Sequence, residues 1–165
     1  MRRLPLIAML ALLAWPEASS ADLSVANTVA FTRADGSAVP FAPSLRVSCG
    51  PWERGVPRRT LHIRVGVREG PFWQLRVVVA DIKRRPVVRF PHSFVFNRPT
   101  GAEVFAFDPD NEASSAEEEA SGRISFGAAR CGRRLQVRFR IRAVLGSEFF
   151  DGEPLTMRGS FRAST

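Results

Sequence analysis

The chain is predicted to fold as an all-β protein: a single antiparallel β-sandwich, with a barrel as the alternative. Three observations carry that prediction. The longest regular stretches alternate apolar and polar residues with a period of two. Turns bearing glycine or proline recur between them, and nothing after residue 21 keeps a helical period with caps. A period of two sends successive side chains to opposite faces of a strand, so each stretch has one face for a core and one for solvent.

Residues 1–21 come first and are of a different kind. Arg2 and Arg3 give a positive start, Leu4 to Ala14 an apolar run, and Ala18-Ser19-Ser20-Ala21 a small-residue exit. That order is the pattern of a secretory signal peptide, with cleavage expected after Ala21. The run is about eleven residues where a bilayer span takes about twenty, so no transmembrane anchor is expected. The expected mature protein is one domain over residues 22–165, exported to the periplasm or the extracellular space.

Strands are expected around Leu23–Phe31, Leu45–Cys49, Leu61–Val67, Gln74–Asp81, Pro86–Phe90, Ser93–Phe96, Glu103–Phe107, Arg123–Phe126, Leu135–Ala143 and Leu155–Phe161. The clearest is Leu135–Ala143, where Leu135, Val137, Phe139, Ile141 and Ala143 alternate with Gln136, Arg138, Arg140 and Arg142. The turns between strands fall at Asp35-Gly36, Glu69-Gly70-Pro71, Arg98-Pro99-Thr100-Gly101, Cys131-Gly132 and Asp151-Gly152. The segment Asp108–Ser121 reads instead as a mobile acidic loop, with Glu112–Ala120 holding a short helix at most. Its carboxylates invite a calcium reading, but Ala113 stands where an EF-hand requires glycine, and Pro109 restricts the backbone.

Cys49 and Cys131 are the only cysteines, and an even pair on an oxidising export route is expected to form one disulfide. An immunoglobulin-like topology is compatible with this pair, but the standard form of that fold is not. The position two before Cys131 is Ala129, where that form has tyrosine, and the chain has no tyrosine at all.

Charge is the strongest functional cue. The chain carries a net +8, and Lys83 is the single lysine among its 24 basic side chains. Six of the 16 acids lie between Asp108 and Glu119, leaving the remainder strongly basic. Codon composition alone can favour arginine over lysine; a binding role requires the arginines to share a face. Arg138, Arg140 and Arg142 do so on one strand, and Arg64, Arg68, Arg158 and Arg162 would extend the face if their strands lie alongside. Such a face would attract an anionic envelope polymer or glycolipid. No cofactor, metal or specific nucleic-acid partner is indicated. The expected function is therefore a non-enzymatic binding or structural component of the cell envelope. The alternative is a secreted hydrolase or carbohydrate-binding module using end loops near Trp52, Trp73 and His92. It finds less support, because no G-x-S-x-G or HExxH motif occurs and His62 and His92 are the only histidines.

Overall fold

A computed structural model describes residues 23–51, 59–67, 69–92, 100–109, 111–147 and 152–165. The fold is all-β and antiparallel, as the alternation predicts. In chain order the elements are β1 (Ser24–Asn27), β2 (Ala30–Thr32), β3 (Leu45–Pro51), β4 (Arg59–Gly66), β5 (Phe72–Val78), α1 (Val79–Arg84) and β6 (Val87–Arg89). They continue with β7 (Ala102–Asp108), β8 (Asn111–Ser114), β9 (Ser121–Arg130), β10 (Gln136–Ser147) and β11 (Leu155–Ser164).

These strands make one continuous sheet curled into a half-barrel, in the order β1-β11-β10-β8-β7-β5-β4-β3. The sheet forks at β10. Residues 136–144 of β10 pair with β9, which in turn pairs with β6, while Gly146 and Ser147 pair with β8. On its other side β10 pairs with β11 from Gln136 to Leu145. Two leaves result, one of β1, β2, β11, β10, β9 and β6, the other of β8, β7, β5, β4 and β3.

The core lies between the leaves and is built from the apolar half of each alternation. Val137, Phe139, Ile141 and Ala143 of β10 are buried, as are Leu61, Ile63 and Val65 of β4 and Leu155, Met157 and Phe161 of β11. Phe139 stacks on Phe161 with ring centroids 5.4 Å apart, and Trp73 meets Phe161 edge-on at 6.3 Å. Each such side chain, fully buried, stabilises the fold by about 1.5–3 kcal/mol.

Cys49 and Cys131 form a disulfide, Cα to Cα 5.8 Å, across 82 residues of sequence. It joins β3, the last strand of one leaf, to the end of β9 in the other. Bonds of this kind persist where the compartment is oxidising.

Three segments depart from the sequence expectations. Leu23–Phe31 is two strands rather than one. The Asn27 side chain accepts a hydrogen bond from the Val29 amide at 3.0 Å, ending β1, and β2 re-pairs with β11 further along. Gly159 permits the crossing: its φ is +141°, and a Cβ there would come within 2.3 Å of the Thr28 carbonyl oxygen. The strand expected over Gln74–Asp81 stops at Val78 and continues as α1, whose Val79 and Ile82 are buried. The acidic segment at 108–121, expected as a loop, contains β8, paired with β7 and β10. Asp108, Asn111, Ser114 and Ser115 are buried polar residues there. Asp108 accepts from Arg33 Nε at 2.8 Å, a partner 75 residues away in sequence, and Ser115 Oγ accepts from the Val104 amide at 2.9 Å. The Ser93–Phe96 strand lies outside the described residues.

Candidate anion-binding face

Alternation places the arginines of β10 and β11 on the outer side of their leaf. Arg138, Arg140, Arg142, Arg158 and Arg162 are all exposed, while the residues between them fill the core. Register then aligns them. Arg138 stands opposite Arg162, and Arg142 opposite Arg158; Arg140 lies between Ser160 on β11 and Ser125 on β9.

The register also recruits arginines that sequence reasoning did not place on this face. Arg142 is opposite Arg123 of β9, and Arg123 is opposite Arg89 of β6. Arg89, Arg123, Arg142 and Arg158 therefore form one row across four adjacent strands. At about 4.8 Å per strand the row spans roughly 14 Å. Arg130, exposed and opposite Gln136, adds a further cation at the other end of β10.

The four-arginine row lines an open cleft of about 480 Å³, together with Phe90, Ala143 and Val144 and the hydroxyl residues Ser121 and Thr156. Gly122, also in its lining, has φ +98°, and a Cβ there would meet the Arg142 carbonyl oxygen at 2.3 Å. Only glycine allows β9 and β10 to approach so closely there. The Gly122 carbonyl accepts from the Phe90 amide at 3.1 Å, extending the hydrogen bonding between β6 and β9.

Among the described residues, no carboxylate forms an ion pair with any arginine of the row. Like charges directly opposite on paired strands oppose folding by about 0.2–1 kcal/mol per pair. Glu117 and Glu119 pack over Gly146, four residues beyond Arg142 on β10.

Arg33, which follows β2, pairs with Asp108 of β7, and in the other leaf Arg76 lies 3.5 Å from Glu103 while Arg46 stands opposite Arg64. Arg64 belongs to this leaf, four strands along the sheet from β10, so it is not part of the arginine row. Its guanidinium lies over the Phe72 ring at 3.9 Å, a cation–π contact. Arg68 and Trp52 lie outside the described residues.

Of the remaining sequence candidates, the described residues include Trp73, His92 and His62. Trp73 is fully buried in the core on β5 and cannot line an end loop. His92 is half-buried, and its Nε2 is 2.9 Å from the Thr100 carbonyl oxygen. His62 is half-buried opposite Arg76, and burial first and the Arg76 charge second lower its pKa. No protein-family model, curated protein or solved structure matches this chain.

Proposed function

We propose that this is an exported, non-enzymatic binding protein of the cell envelope that engages an anionic partner through the outer face of β6, β9, β10 and β11. One observation carries the reading: four arginines stand side by side across four strands with no carboxylate paired to them among the described residues. Codon composition accounts for arginine in place of lysine, but it does not account for this alignment. A cationic face that opposes its own folding is most readily compensated by anions brought by a partner. The leader-like residues 1–21 and the Cys49–Cys131 disulfide support export.

Retention on a sulfated-polysaccharide column tests the reading. The wild type should bind at low salt and elute well above the Arg138→Ser/Arg140→Ser/Arg142→Ser variant. A control of equal net charge, Arg46→Ser/Arg84→Ser/Arg85→Ser, removes exposed arginines from other positions and should elute close to wild type. Equal elution of the two triple variants would reduce the effect to net charge and remove the assignment to this face.

A further inference from the structure

Resting on that reading of the face, we infer that the cleft of Arg89, Arg123, Arg142 and Arg158 is a discrete site for a ligand carrying two phosphate monoesters about 10 Å apart on a hydroxylated carbon spacer. Charge supplies the first step. Four arginines stand in one row across paired strands, and a phosphate monoester carries about 1.5–2 negative charges at neutral pH. One phosphate leaves half of the row uncompensated, and two neutralise it.

Geometry supplies the second. The row spans roughly 14 Å, wider than a single phosphate group. Its outer pairs, Arg89 with Arg123 and Arg142 with Arg158, have midpoints two strands apart, or about 10 Å. Each pair presents planar forks suited to holding phosphate oxygens two at a time.

The lining between the pairs supplies the third. Between the arginines the lining includes Phe90, Gly122, Ala143 and Val144 together with the hydroxyl residues Ser121 and Thr156. A sugar-like spacer, with carbon faces and hydroxyl edges, matches that mixture. The cleft volume of about 480 Å³ lies within the usual range for small-molecule sites. The same chemistry occurs in soluble sugar bisphosphates and in bisphosphorylated glycolipid headgroups.

Calorimetry on the disulfide-intact protein tests the site, with fructose 1,6-bisphosphate as probe and fructose 6-phosphate and inorganic phosphate as single-phosphate controls. The bisphosphate should bind at least about tenfold more tightly than either control, as expected when a second set of charge-assisted contacts is made. A parallel arm uses phosphatidylcholine vesicles bearing a bisphosphorylated glycolipid, against vesicles of equal charge made with phosphatidylglycerol. Selective binding to the glycolipid vesicles assigns the ligand to a lipid source; binding of the soluble sugar alone assigns it to solution. Arg89→Ser/Arg123→Ser should lose the preference, whereas Arg46→Ser/Arg84→Ser, which removes two exposed arginines from outside this face, should keep it. Wild-type melting provides a check that needs no variant, since the bisphosphate should raise Tm more than the monophosphate at equal concentration. Equal affinity for one and two phosphates in both arms overturns the site. If polysaccharide retention survives that result, the broader reading of the face stands alone; if retention is also absent, both fall.

Discussion

His62 shows how a single buried ring can link stability to pH. Burial, and then the Arg76 guanidinium opposite, depress its pKa below 6.5. The native state therefore binds fewer protons than the unfolded chain. The His62 contribution to stability is complete above about pH 6.5 and is lost as pH falls through the depressed native value. Tm should fall between pH 7 and pH 5 in the wild type and fall less in His62→Gln; identical slopes would exclude His62 as the source. Asp35, held below 3.8 mainly by the Ser37 amide, titrates outside that window. At this scale the sequence was only partly informative. Arg89 and Arg123 sat on expected strands and alternated with apolar Val88 and Ile124, so their exposure was legible. Their meeting with Arg142 depends on which strand pairs with which, and period-two alternation carries no information about partners. Trp73 illustrates the converse: proximity to a turn suggested a rim position, yet the alternation of β5 turns the ring inward.

Among the elements, the cost of the aligned arginines should be measurable directly. Arg123→Thr/Arg142→Thr removes two adjacent members of the row and installs good strand formers. It should stabilise the fold by about 0.5–2 kcal/mol, from the like-charge pairs relieved and the gain in β propensity. Thermal melts at low and high salt should show that gain shrinking as salt screens the row. An unchanged or lowered Tm at low salt would mean that the arginine stems contribute packing that outweighs the repulsion. The strands with clean alternation, β4, β10 and β11, were readable because half of each is buried and half wet. The helix α1 was not. Its Val79 continues a run of β-branched residues from β5, and no side chain caps its start, so local propensity pointed to strand. The segment 108–121 misled for another reason. Its acidic composition resembles a solvated loop, but Asp108 is anchored by Arg33, 75 residues away in sequence, a partner invisible to any local window.

For the molecule as a whole, the disulfide acts as a clasp across the open side of the half-barrel, joining the last strand of one leaf to the end of β9 in the other. Closing a loop of 82 residues should contribute about 4.5 kcal/mol on the chain-entropy account. Denaturant unfolding of Cys49→Ala/Cys131→Ala should therefore lose several kcal/mol relative to wild type, with reduced wild-type protein behaving alike. A loss under about 1 kcal/mol would mean that the leaves hold together by packing alone. The cysteine pairing was legible from count and compartment, but its mechanical position was not, because that needs the order of strands.

The fork at β10 has a consequence for how this protein would report an occupied surface. β10 pairs along most of its length with β9 and β11 and at Gly146 and Ser147 with β8, and it faces the core with Phe139 and the outside with Arg140. Anything that grips the outside of β10 is thus wired to the entire unfolding equilibrium. Its binding free energy is felt as resistance of the full chain to opening rather than as stiffening of a local patch.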